Sequence, residues 1–170
     1  MSAAESSALI RPAGPDDLAA IGHILSQATT YWHGLDPSVF VEVPPEPIAA
    51  HFRDGRQYPA DVAVGDRSTL VAEVDGRVVG FAVLAITRPD DGMDIHQPDV
   101  RGWLHELAVE THSRGRGVGS RLLAAAEDWV RARGAQWMLL DTHPANVDAL
   151  RFYQQHMGYV PVGIRLARRV

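Results

Sequence analysis

One stretch limits the fold more than any other: Trp103 to Ser120, reading WLHELAVETHSRGRGVGS. Trp103 to Val109 is an apolar, strand-like run. Glu110 to Ser113 leads from it into Arg114-Gly115-Arg116-Gly117-Val118-Gly119. Apolar residues then recur at helical steps, at Val118, Leu122, Ala125, Ala126 and Trp129. The order is therefore strand, glycine-rich turn, helix. Glycines let backbone N–H groups converge on one concavity, and a helix N-terminus adds partial positive charge. Such a turn holds phosphate, and Arg114 and Arg116 can add charge-assisted contacts.

Two common phosphate motifs fit poorly. A Walker loop needs Gly-Lys-Ser/Thr, and all 16 basic residues here are arginine. The dinucleotide pattern Gly-x-Gly-x-x-Gly would place Ser120 at its last glycine. Arg-x-x-Gly-x-Gly fits without concession, as Arg114, Gly117 and Gly119 behind Leu107-Ala108-Val109. This resembles the acetyl-CoA signature of the GCN5-related N-acetyltransferase (GNAT) superfamily. A second stretch resembles that family's other signature: Asn146-x-x-Ala149-x-x-Phe152-Tyr153, closed by Met157-Gly158-Tyr159. The two signatures stand in the family's order, one helix and one strand apart.

The rest of the chain reads as a single domain over residues 8 to 170 behind a small, polar tail, residues 1 to 7. Ala8 to Arg11 predicts a strand, and Pro15-Asp16-Asp17 starts a helix through Leu18, Ile21, Ile24, Leu25 and Ala28. The stretch from Tyr31 to Pro37 predicts its end. A short helix is expected over Glu46 to Arg53. Asp75-Gly76 predicts a hairpin turn between Thr69–Val74 and Arg77–Ile86, whose second arm is apolar on both faces and therefore central. Thr87 to Arg101 reads as a surface loop. Gln136 to Thr142 is the next strand and Asn146 the N-cap of the next helix. Tyr159 to Ile164 and Leu166 to Val170 suggest a final strand or hairpin.

Net charge of −5 does not favour general nucleic-acid binding, and the absence of cysteine removes disulfides, thiolate metal sites and a cysteine nucleophile. The eight histidines show no metal-ligand spacing. No apolar run is long enough to span a bilayer, and the N-terminus lacks a basic, then apolar, leader pattern; a cytoplasmic protein is expected.

The resemblance implies a mixed, mostly antiparallel α/β (α+β) sheet with helices on both faces, splayed between two strands. It implies acetyl-CoA as co-substrate and a small-molecule or peptide amine as acceptor, with direct attack in a ternary complex. Leu107, Ala108 and Val109 would offer backbone groups to the pantetheine arm. The turn from Arg114 to Ser120 (Arg114, Gly115, Arg116, Gly117, Val118, Gly119, Ser120) would hold the pyrophosphate. Asn146 would bind cofactor, cap its helix, or both, and Tyr153 would protonate the departing thiolate. The general base stays open among Glu106, Asp141, His105 and ordered water. Strand alternation places His105 with Trp103 and Leu107, and Glu106 with Leu104 and Ala108, unless a bulge intervenes. Tyr31, Trp32, His33 and Phe40 are candidates to line the acceptor pocket or to form a packing cluster. The resemblance also allows a homodimer built through the final strand. Two other functions remain open at this level: a catalytically weak acyl-CoA-binding module of the same fold, and a nucleotide-binding protein.

Overall fold

A computed structural model describes residues 8–58, 62–88 and 100–163. The tail before residue 8, most of the expected loop after Thr87 and the segment from 164 onward lie outside the described residues. In chain order the elements are β1 (Leu9–Pro12), α1 (Leu18–Leu35), α2 (Pro45–Arg53), β2 (Arg67–Val74), β3 (Arg77–Thr87), β4 (Arg101–Val109), α3 (Val118–Arg131), β5 (Trp137–Leu140) and α4 (Val147–Arg151). A π-helical turn, Phe152–His156, continues α4.

Among the described residues the sheet runs β1-β2-β3-β4-β5. Its first three pairings are antiparallel, and β4 with β5 is parallel. Asp75 and Gly76 both take positive φ, as the tight turn between β2 and β3 requires. β3 is buried on both faces. Phe81 and Val83 meet Ile21, Ile24, Leu25 and Phe52 from α1 and α2, whereas Ala82 and Leu84 meet Leu122, Leu123 and Ala126 from α3. Helices therefore cover both faces, as expected. Gly22 permits the α1–α2 contact, since a Cβ there would lie 2.6 Å from the Pro45 carbonyl oxygen. Arg11 anchors the start of α1 to the sheet, donating to Asp17 at 2.7 and 2.9 Å and to Glu73 at 2.8 and 3.0 Å. That guanidinium holds the buried Asp17 carboxyl below its ordinary range.

Two expectations need correction. α1 does not break at Tyr31; it continues to Leu35 and ends where the Asp36 N–H donates to the Trp32 carbonyl. Tertiary packing overrides the local turn signal, because Trp32 packs against the core under α1 and onto Phe40. At the other end, Tyr159 to Gly163 form no strand, and the remainder of the expected strand or hairpin, Ile164 and Leu166 to Val170, lies outside the described residues.

Candidate active site

The site lies where β4 parts from β5. The pairing of these strands ends at Leu104 with Leu140, so His105 to Val109 run on without β5 beside them. On its other edge β4 stays paired with β3, but the register slips there. Val83 faces Glu106 while Leu84 faces Leu104, leaving His105 as an inserted residue. This bulge overturns the simple alternation. Leu104 and Leu107 both pack on the α3 side, and Ala108 packs on the α1–α2 side. Trp103 and His105 stack at 6.3 Å on one face. His105 and Glu106, adjacent in sequence, line one cavity of about 250 Å³ together with Leu25, Phe52 and Gln57.

The electrostatics follow from burial. Desolvation raises the Glu106 carboxyl from 4.5 to about 7. Burial, and then the Glu106 charge, push the Tyr153 phenol well above its ordinary value, which also shows that the two groups share one field. Burial lowers the His105 imidazole, opposed by the Asp141 charge nearby. The Glu106 charge thus reaches Tyr153 and the Asp141 charge reaches His105, while only Glu106 and His105 line the cavity and Asp141 is exposed.

Tyr153 sits in the π-helical turn, where the Met157 N–H reaches back to the Phe152 carbonyl at 3.1 Å. Such turns re-aim side chains relative to a regular helix. Phe152 and Tyr159 flank its ring at 5.1 and 5.8 Å. Tyr159 is itself held by a 3.0 Å hydrogen bond to Glu127, so the closing aromatic of the second motif positions the first. Asn146 caps α4, accepting from the Ala149 N–H at 3.2 Å, and lies 3.5 Å from the Tyr31 hydroxyl.

The glycine turn is built as its spacing predicts. Gly115 and Gly117 take φ of 73° and 77°, with nothing packed where a Cβ would project. Gly117 caps α3, whose first internal bond runs from Arg121 N–H to Gly117 C=O. The N–H groups of Val118, Gly119 and Ser120 therefore lack partners in the helix ladder, and exposed Arg116 adds charge. Gly119 lies against the Phe152 ring, its absent Cβ 3.6 Å away. This donor set fits a phosphate-bearing ligand. Arg114 is more engaged than expected: its Nε donates to the Val109 carbonyl at 3.0 Å, and its guanidinium lies over Tyr31.

Tyr31, Trp32, His33 and Phe40 line neither this cavity nor the one beside it. They join α1 to the far side of the splay. Phe40 packs edge-on against His143 at 5.3 Å and accepts a hydrogen bond from His33 through its carbonyl, and His143 pairs with Asp36 at 3.5 Å. The four residues pack and hydrogen-bond as one cluster at the edge of the splay. The cavity is lined instead by residues that carried no sequence motif, Gln57 among them.

A splayed sheet, a glycine turn at a helix start whose donors fit phosphate, and a half-buried acid lining a cavity beside the splay point to a class of acyltransferase. The chain belongs to the Acetyltransferase (GNAT) family, whose model matches residues 29–159. It is an acetyltransferase of that type, with acetyl-CoA as its co-substrate. It is 31% identical over 126 residues to an aminoglycoside N(6')-acetyltransferase type 1 of Salmonella typhimurium, covering 73% of this chain and 80% of that one. An aminoalkylphosphonate N-acetyltransferase of the same organism is 34% identical over 102 residues, 60% of this chain and 62% of that one. Among solved structures, an aminoglycoside N-acetyltransferase in complex with CoA shares the fold with a TM-score of 0.67 at 24% identity, covering 100% of this chain and 99% of that one.

Proposed function

We propose that the protein transfers the acetyl group of acetyl-CoA directly to a small primary amine in a ternary complex, with Glu106 as general base and Tyr153 as general acid. The observation that carries this is Glu106. It is a carboxyl lifted by burial to about 7, at the bulge where β4 leaves β5, and its charge reaches Tyr153. A base works best when its pKa lies near working pH. A small-molecule acceptor is supported by the printed substrates of the aminoglycoside and aminoalkylphosphonate relatives. Residues 8 to 170 act as one domain in this reading.

Glu106 accepts a proton from the bound ammonium and frees the nitrogen lone pair, which forms the new C–N bond at the thioester carbonyl carbon. Backbone N–H groups on the free edge of β4 hold the developing oxyanion. The C–S bond then breaks, and Tyr153 gives its phenolic proton to the thiolate. The proton shed by the acylated nitrogen restores Tyr153 through solvent, and Glu106 releases its own. Burial keeps the Tyr153 phenol protonated at every working pH, so its proton is in place when the thiolate departs. Leu107 and Val109 present backbone to the pantetheine arm, and Gly115 to Ser120 hold the pyrophosphate.

Initial rates measured with both substrates varied test this. Intersecting double-reciprocal lines, with turnover lost in Glu106→Gln, are expected; parallel lines would indicate a covalent acetyl-enzyme and sink the direct-attack reading.

His105 is the second reading for the base, favoured by the Asp141 charge beside it and by burial that keeps it neutral. Retention of most turnover in Glu106→Gln, with loss in His105→Ala, would select it.

A further inference from the structure

Two cavities meet between α1, α2 and β4. The smaller holds Glu106. The larger, about 460 Å³, is lined mainly by apolar groups, among them Leu25, Val43, Pro47, Ile48 and Ala50. Leu25, His51 and Arg56 line both, so the two spaces adjoin. The α1–α2 connection is held over the larger one by the Val43 N–H, which donates to Thr29 Oγ1 at 3.1 Å.

The smaller cavity has an unusual polar inventory. Gln57 Oε1 and His105 Nε2 are buried with no hydrogen-bond partner among the described residues. The neighbouring Tyr58 phenol is bonded to Thr69 at 2.8 Å, and the Gln57 carbonyl is left over. Buried polar atoms without partners are costly and mark a site that a ligand completes. Beside them is the Glu106 carboxylate. Gln57 Oε1 and Glu106 can only accept once Glu106 is ionised, and His105 Nε2 accepts in one tautomer. Three acceptors around one space suit three N–H donors on one nitrogen, which is a primary ammonium.

We propose that the acceptor is a monoamine with an apolar body, its primary amine in the smaller cavity and its body in the larger. This deepens the proposed function and rests on Glu106 facing the acceptor. Among the described residues Glu106 is the one acid lining either cavity, against Arg56, His51 and His105. A polycation such as an aminoglycoside would leave its other ammonium groups beside Arg56. A phosphonate would place its charge in the apolar space. Gln57 is an acceptor-binding residue for which the sequence offered no motif.

The test is thiol release at saturating acetyl-CoA with ethylamine, butylamine, hexylamine and 2-phenylethylamine, against kanamycin and 2-aminoethylphosphonate. Apolar burial predicts that kcat/KM climbs about fourfold per methylene along the alkyl series at the outset. Kanamycin and the phosphonate should fall at least about tenfold below hexylamine, having no partners for their extra charges. Val43→Asp should flatten the series, and Gln57→Leu should raise KM about tenfold with acetyl-CoA affinity unchanged. A flat series in the unaltered protein, no release with any monoamine, or kanamycin as the best acceptor overturns the proposal. If Glu106→Gln still abolishes whichever reaction occurs, the base assignment stands and only this acceptor class falls. If acetyl-CoA itself does not bind, the proposed function falls with it.

Discussion

Replacing Glu106 by glutamine should make the protein more stable and nearly inactive, and the two effects should share one pH dependence. The carboxyl titrates near 4.5 in an unfolded chain and at about 7 in the fold. Between those values the native state holds a proton that the unfolded state has lost. Stability from this group is complete below pH 4.5 and drains away as pH rises through 7. The whole displacement corresponds to about 3 kcal/mol. Glutamine has nearly the same shape and no charge to desolvate, so the variant escapes that loss. Its advantage should grow from near zero at pH 4 to about 3 kcal/mol at pH 8.5, or about 6–12 °C in Tm for a chain of this size. Meanwhile kcat/KM should fall by roughly 10² to 10⁴. The acid limb of the wild-type profile, rising through about pH 7 as Glu106 ionises, should vanish with it. Urea unfolding of both proteins without ligand from pH 4 to 8.5 measures the first effect, and initial rates over the same range the second. Parallel stability curves would refute the claim that this carboxylate is desolvated. An intact acid limb in the variant would refute its role as base.

Tyr153→Phe should lower kcat by about 10² or more while acetyl-CoA affinity stays within a few-fold, because the ring and its packing against Phe152 and Tyr159 survive; steady-state kinetics with calorimetric binding separate the two. Tyr159→Leu should also lower kcat through a loosened Tyr153, with partial rescue in Tyr159→Phe if ring packing rather than the bond to Glu127 does the positioning. Gly102→Ala should destabilise the fold by about 1–3 kcal/mol, because a methyl there would overlap Val130 on α3; chemical denaturation reads this directly.

Much of the architecture was legible because it is written locally. The Asp75-Gly76 turn, the doubly apolar arm of β3 and the strand–glycine–helix unit each carry a short-range pattern that matches the sheet they build. The end of α1 was less legible, since Tyr31 to Leu35 look like a loop until Trp32 and Phe40 are seen to pack together. The candidate catalytic face was legible in composition but not in direction. A strand of mixed residues gives no sign of where one extra residue enters, and the slip beside Val83 puts His105 and Glu106 on the same side. Gln57 could not have been found at all. What singles it out is a buried carbonyl with no partner among the described residues, a relation only the fold creates.

The central claim is that the Gly115–Ser120 turn and the gap between β4 and β5 form the acetyl-CoA site. Isothermal titration of the protein with acetyl-CoA, beside Gly117→Val, tests it most directly. Gly117 has φ of 77° and open space around it, so valine there is strained and also projects into the phosphate cradle. One-site binding at micromolar Kd, lost in a variant that remains folded by circular dichroism, is the predicted result. Unchanged binding in a folded Gly117→Val protein would contradict it.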